Sequence, residues 1–331
     1  MNQQRVRVAY GGELYDRTRP LYSGEVRPEG IELRYLHLDI EDLFWRQGRY
    51  GEFDAAEYSM GAYLASVEDP AWGFVAIPVF PSRVFRHSAV YVHAGSGIET
   101  PRDLNGRTVG TPEWSMTASL WIRGILSEHY GADLRSVRWR TGGLAQPGRR
   151  EKSRVKPPAH FDVRPLERGD TLNQALLEGK IDALISARPP AAFIEGRPEV
   201  RRLFADSPAA EQEYFRQTGV FPIMHVVVVR KTLVEEHPWL ANNLRNAFEA
   251  ARKGALARLL DTGICTTSLA WETAYAEREA ALLGDAFKYG VEENRATLDA
   301  LCRYAFEQGF TSRLLQPEEL FVPSTVSSAK M

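Results

Sequence analysis

Short apolar runs rich in β-branched and aromatic residues alternate with stretches in which apolar residues recur every three or four positions. The runs at residues 5–10, 31–36, 53–58, 74–80 and 89–93 each end near Gly, Pro or Ser and predict strands. Between the second and third, residues 40–50 carry apolar positions at helical spacing. Strands alternating with helices predict a mostly parallel sheet covered on both faces, so the fold class is α/β.

Further along, Thr100 suits a helix N-cap, Pro101 the first helical position and Gly106 the residue after the end. A strand from 108 starts a second sheet, an amphipathic helix spans 117–130 and a strand spans 137–141. Residues 144–158 are rich in Gly, Pro, Lys and Arg and predict a surface excursion, a lid or a mobile loop. Thr171 with Gln174 forms a capping-box pattern ahead of a helix at 172–179, and 181–186 is a short buried strand. Residues 220–230 contain the run 226–229 and predict a central strand of the first sheet. Thr232 with Glu235 is a second capping-box pattern, Pro238 opens a helix to about 260, and helices follow at 269–283 and 294–308. Residues 324–331 are expected to fray. This order predicts two Rossmann-like lobes joined by a hinge crossed twice. Lobe I comprises 1–91 and 220–331, and lobe II is an insertion at 92–219. A double crossing allows closure around a ligand.

Composition supports two lobes and removes several function classes. At 331 residues the chain exceeds one small core, and 44% hydrophobic with 25% charged residues is ordinary globular usage. A net charge of -2 with scattered arginines gives no nucleic-acid footprint. The polar start leads directly into the first strand, without the apolar stretch of a secretory signal, and no run is long enough to span a membrane. A cytoplasmic location is the expectation. The two cysteines, Cys265 and Cys302, fall in helical patterns and are expected as buried thiols.

Ligands of open parallel sheets bind beyond the carboxyl ends of the strands. That rule selects Glu13, Arg17 and Arg19 after the first strand, and Glu57 and Ser59 at the third. It also selects Arg83 and His87 after the fourth, Ser115 and Thr117 ahead of a helix, Arg188 after 181–186, and His225 at the return strand. Arginine grips carboxylates in a planar fork, and a helix start near 115–117 would donate N–H groups to an anion. The candidate substrate anchors are therefore Arg19, Ser59, Arg83, Ser115, Thr117 and Arg188. His87, Glu57 and His225 are the candidate proton carriers, weighed against ordinary roles as packed histidines and an ion-paired carboxylate. No dinucleotide, P-loop, nucleophile-elbow or HExxH motif occurs, and no two of the seven histidines are spaced i, i+4 on one helix. No metal site is indicated, although Glu57, His87 and His225 together could hold a divalent ion.

Several blocks resemble a known family. These are Thr117-Ala118, Trp121-Ile122-Arg123-Gly124, Trp139-Arg140-Thr141-Gly142-Gly143 and Ile181-Asp182-Ala183-Leu184-Ile185-Ser186 with Arg188. More specific are the block from Thr218 to His225, read Thr-Gly-Val-Phe-Pro-Ile-Met-His with Gly219 second, and Glu293-Asn294-Arg295-Ala296-Thr297-Leu298. With Pro317-Glu318-Glu319-Leu320-Phe321 the likeness runs along essentially the whole chain, which resembles the 4,5-dihydroxyphthalate decarboxylases. The resemblance implies a type 2 periplasmic-binding-protein-like fold and non-oxidative conversion of an aromatic dicarboxylate, 4,5-dihydroxyphthalate, to protocatechuate.

In the corresponding scheme a ring carbon is protonated and carbon dioxide leaves, in a cleft between the lobes. His87 or Glu57 would be the acid and His225 would lie near a phenol oxygen, with Arg19, Arg83 and Arg188 as anchors. No redox cofactor is needed. The expected partner is the small aromatic dicarboxylate, with no nucleic acid and no membrane, and a homo-oligomer stays open. The rival from another class is a non-catalytic cytosolic solute-binding protein for a small carboxylate. An enzyme of thiamin-pyrimidine biosynthesis is a third reading, disfavoured by the missing Cys-rich motif.

Overall fold

The structure is a computed structural model that describes residues 5–151 and 155–327. Residues 152–154 of the 144–158 excursion and 328–331 of the terminal segment expected to fray lie outside the described residues. Eleven strands occur among the described residues: β1 (Val6–Gly12), β2 (Ile31–His37), β3 (Ala55–Ser59), β4 (Phe74–Ile77), β5 (Val90–His93), β6 (Thr108–Thr111), β7 (Arg138–Thr141), β8 (Asp162–Pro165), β9 (Ala183–Ile185), β10 (Val200–Arg202) and β11 (His225–Arg230). They form two sheets, in two compact units. Unit 1 comprises Met1–Arg83, Ile223–Asp299 and Gln316–Met331, and unit 2 comprises Val84–Pro222 and Ala300–Leu315.

Unit 1 holds a five-stranded sheet in the order β2-β1-β3-β11-β4. β1 runs parallel to β2 and β3, whereas β11 is antiparallel to both β3 and β4. The sheet is thus mixed, not mostly parallel. Val226, Val227, Val228 and Val229 are all 0% exposed, and a strand buried on both faces has the same continuous apolar sequence whichever way it runs. The helix Ile40–Tyr50 has the bounds its pattern predicts. The Asp39 side chain accepts from the Glu41 N–H at its start, and Gly51 takes the left-handed conformation at its end (φ 56). The long helix Leu240–Leu259 buries Leu240, Leu244, Phe248 and Ala251.

Unit 2 holds a six-stranded sheet in the order β10-β5-β9-β6-β7-β8, also mixed. β6 is parallel to β7 and β9, and β7 to β8, while β5 is antiparallel to β9 and β10. The polar sequences of β8 and β10 carry no apolar alternation, so the pattern does not reveal them. The core contains Trp114, Trp121 and Trp139, and the buried Arg123 guanidinium stacks 3.7 Å from the Trp114 ring centroid. Helix Thr117–Glu128 carries Gly124, where a Cβ would lie 2.2 Å from Tyr304 Cδ2. Only a glycine admits the ring there.

Four local expectations change. Thr232 does not cap: the helix Lys231–Glu236 begins two residues earlier than that cap would place it, with Arg230 at its N-cap and no side-chain cap bond. Residues 101–104 form a 3₁₀ turn, held by a Thr100–Asp103 capping box. Cys265 is exposed beyond the helix end at Leu259, where the sequence Asp261-Thr262-Gly263 favours a turn, and Cys302 alone is buried. Residues Pro323–Val326 form a short helix with Thr325 buried. No helix among the described residues is long and apolar enough to cross a membrane.

Candidate functional site

The register of unit 1 brings two candidates together. His225, the first residue of β11, stands opposite Ser59, the last of β3. Glu57 lies two residues back along β3, so it projects from the same face as His225 and is its diagonal neighbour. The Glu57 Oε1 atom is 2.7 Å from His225 Nδ1. Two further donors fix the carboxylate: the Tyr15 hydroxyl donates to Oε1 at 2.7 Å, and the Glu13 N–H donates to Oε2 at 3.0 Å. The Glu57 side chain is 0% exposed, a burial tolerable for a charge only with such partners. A carboxylate accepts, so the imidazole donates through Nδ1–H. Its Nε2 atom is not engaged by Glu57, and the side chain as a whole is 16% accessible. Phe44 meets that ring edge-on, with centroids 4.9 Å apart.

The loop after β1 builds the other wall. The Glu13 carbonyl accepts from the Thr18 hydroxyl at 3.0 Å and the Tyr35 hydroxyl at 2.6 Å, and His37 Nε2 is 2.7 Å from Glu13 Oε1. The Arg17 guanidinium lies 4.3 Å from the ring centroids of both Tyr15 and Phe287 and donates through Nε to the Pro81 carbonyl at 2.7 Å. Burial first, and the Glu57 charge second, push the Tyr15 phenol well above its ordinary range, so it remains a proton donor.

Each of the other expected anchors has contacts of its own within its unit. In unit 1, Arg83 is buried, and its Nη1–H donates to Asn294 Oδ1 at 2.6 Å, while burial lowers its pKa to about 9. Arg19 is exposed at the first position of the helix Arg19–Ser23. Ser59 caps the helix Met60–Leu64 by accepting the Ala62 N–H at 3.4 Å.

In unit 2, Arg188 is exposed and its carbonyl accepts from the Ser186 hydroxyl at 2.6 Å. Thr117 is buried at the start of its helix. The His87 side chain is 1% exposed among the rings of Tyr130, Phe204 and Tyr214, with centroids 5.0–5.7 Å away. Neither of its ring nitrogens has a hydrogen-bond partner among the described residues. Burial, with His129 adding a smaller effect, depresses its pKa to about 4. Ser115 binds a carboxylate, but one belonging to the chain: its N–H, at 3.2 Å, and its hydroxyl both donate to Glu151 Oε1. No group of three or more His, Cys, Asp or Glu that could hold a metal ion occurs among the described residues.

Sequence reasoning missed Tyr15 and Glu151. Tyr15 lies on the segment between the selected Glu13 and Arg17, so the strand-end rule reached its position, but a lone tyrosine carries no chemical signature. Glu151 sits in a polar excursion with no periodicity at all.

No family model matches the chain. Over 332 residues it is 38% identical to the 4,5-dihydroxyphthalate decarboxylase of Comamonas testosteroni, covering 100% of both chains. It is 36% identical over 216 residues to the 4,5-dihydroxyphthalate decarboxylase of Pseudomonas putida, covering 65% of this chain and 83% of the relative. Among solved structures, the putative periplasmic sulfonate-binding protein SsuA of Methylobacillus flagellatus superposes with a TM-score of 0.51 at 13% identity, covering 97% of this chain and 93% of that one. That likeness concerns the fold, which is type 2 periplasmic-binding-protein-like.

Proposed function

Since the chain belongs to the 4,5-dihydroxyphthalate decarboxylase family and is a carboxy-lyase, we propose that it converts 4,5-dihydroxyphthalate to protocatechuate by ring protonation. The observation that carries the chemistry is the Glu57–His225 pair, a partly exposed imidazole backed at 2.7 Å by a buried carboxylate. Of the three candidate proton carriers, Glu57 has both oxygens engaged by donors and His87 is enclosed by aromatic rings. The acid role therefore goes to His225.

In this scheme the imidazolium of His225 transfers its Nε2 proton to the ring carbon that bears the departing carboxylate. The para hydroxyl shares the positive charge of the dearomatised ring. The C–C bond to the carboxylate then breaks, its electron pair restores the aromatic ring, and carbon dioxide leaves. Imidazole takes a new proton from solvent, so the net change is one proton consumed and one carbon dioxide released. Electrons stay on the substrate throughout. Glu57 holds the tautomer and stabilises the imidazolium, a preorganised charge that needs no solvent rearrangement.

Incubating purified protein with 4,5-dihydroxyphthalate and following protocatechuate by chromatography tests the reading. Product that disappears in His225→Ala supports it. Binding of the substrate without any product would move the chain to the class of solute-binding proteins.

A further inference from the structure

Unit 2 contains a carboxylate cradle that the chain fills itself. The turn at 113–115 precedes the helix Thr117–Glu128. On it, the Trp114 N–H donates to Glu151 Oε2 at 2.7 Å, while the N–H and hydroxyl of Ser115 donate to Oε1. Three donors thus converge on one carboxylate, the geometry of an anion site. Beneath the turn lies Arg123, 0% exposed, whose Nη2–H donates to the Trp114 carbonyl at 2.7 Å and whose Nε–H donates to Gln308 Oε1 at 2.6 Å. Its Nη1 atom is buried and has no partner among the described residues. Both of its hydrogen-bond acceptors are neutral, so the buried positive charge is offset by the Trp114 ring face and by the charge of the Glu151 carboxylate in the cradle, which makes the cradle a favourable seat for an anion.

The carboxylate that fills the cradle comes from outside. Glu151 is an exposed residue whose head alone is seated on the turn, and burial of that head raises its pKa. It lies on a strap that begins at Gly143, where a Cβ would lie 1.7 Å from the Gln146 carbonyl oxygen, so the strap folds back tightly there. A second ion pair on the strap, Arg149 Nε to Glu113 Oε1 at 2.7 Å, holds it against the same turn. A loop that needed only anchoring would be held by that part-buried pair. It would not require a buried cation beneath the turn.

We propose that the 113–115 turn is a carboxylate-binding site kept filled by Glu151, and that a dicarboxylate ligand enters by exchanging with this tethered carboxylate. Only the identity of the ligand rests on the decarboxylase reading. Phthalate, which lacks the para hydroxyls needed for turnover, serves as the probe.

Calorimetric titration of the full chain with phthalate should show Glu151→Ala binding about tenfold tighter than wild type, the gain expected if the tethered group fills the cradle about nine-tenths of the time. Glu151→Gln should gain in the same direction, and Ser115→Ala added to Glu151→Ala should abolish the gain. Phthalate should also speed tryptic cleavage after Arg149 in wild type by releasing the strap. Binding by Glu151→Ala with none by wild type would equally support the exchange. Unchanged or weaker binding in Glu151→Ala, a gain indifferent to Ser115, or no binding by either protein would overturn it. Phthalate binding with no protocatechuate from 4,5-dihydroxyphthalate would sink the decarboxylase reading alone.

Discussion

Replacing Glu57 by Gln is the sharpest perturbation of the proposed centre, because it keeps the shape and removes the charge. Glu57 accepts from Tyr15 Oη and His225 Nδ1 on Oε1, both at 2.7 Å, and from the Glu13 N–H on Oε2 at 3.0 Å. An amide offers one acceptor oxygen and one donor group. In one orientation its NH₂ confronts the Glu13 N–H, and in the other it confronts both the tyrosine hydroxyl and the imidazole N–H. Either way a buried donor loses its acceptor, at about 1–3 kcal/mol. The imidazolium also loses its counter-charge in a buried setting. Taking roughly 2–4 kcal/mol for the combined transition-state loss, kcat/KM should fall by roughly 30- to 1,000-fold. Initial rates of protocatechuate formation give the ratio, and thermal unfolding of the same samples checks that the variant is folded. A folded Glu57→Gln enzyme within threefold of wild type would refute the assignment of Glu57 as the support of His225.

Tyr15→Phe removes one of the donors on Oε1 and should lower kcat by about 5- to 30-fold, with KM nearly unchanged, read from substrate-saturation curves. Gly124→Ala forces a methyl group against the Tyr304 ring at 2.2 Å and should cost about 1–3 kcal/mol, seen as a lower Tm in calorimetry. Stability should fall with pH because of His87, whose folded pKa of about 4 lies below the ordinary value of 6.5. Above 6.5 the group is neutral in both states. Between 6.5 and 4 only the unfolded chain takes the proton, so unfolding becomes easier by up to roughly 3 kcal/mol, and below 4 the loss levels off. His87→Phe should flatten that part of the urea-midpoint curve against pH, and an unaltered curve would show that other groups control it.

Much of the architecture was legible because it rests on local signals. The helix Ile40–Tyr50 is announced by Asp39, by its apolar spacing and by Gly51, and β1, β2 and β3 by short apolar runs closed by turn residues. Strand direction was not legible. The four valines of β11 are buried on both faces, and such a run is the same text read either way. The polar strands β8 and β10 exist because neighbours supply their ladders, a long-range cause that no window of sequence contains. Strand-end reasoning selects Glu57 and His225, which the structure pairs, but does not separate them from His87. All three look alike in the sequence; only the packing of Tyr130, Phe204 and Tyr214 around the last distinguishes it.

The antiparallel direction of β11 is also what makes the proposed chemistry possible. Ligand sites of parallel sheets gather where strands end, and β1 and β3 both end at the same edge, contributing Glu13 just past β1 and Glu57 within β3. A parallel β11 would begin at the opposite edge, and its first residue would be a strand length away from Ser59. Running antiparallel, it begins beside Ser59, so a residue 168 positions from Glu57 in the chain arrives on the same face and within a hydrogen bond of it. The period of two along a strand makes this placement strict: Val226, one residue on, faces the other side and is 0% exposed. One strand thus supplies, from adjacent positions, a core residue on one face and the imidazole on the other. The sheet's rigidity then holds Nδ1 on the carboxylate without depending on a loop.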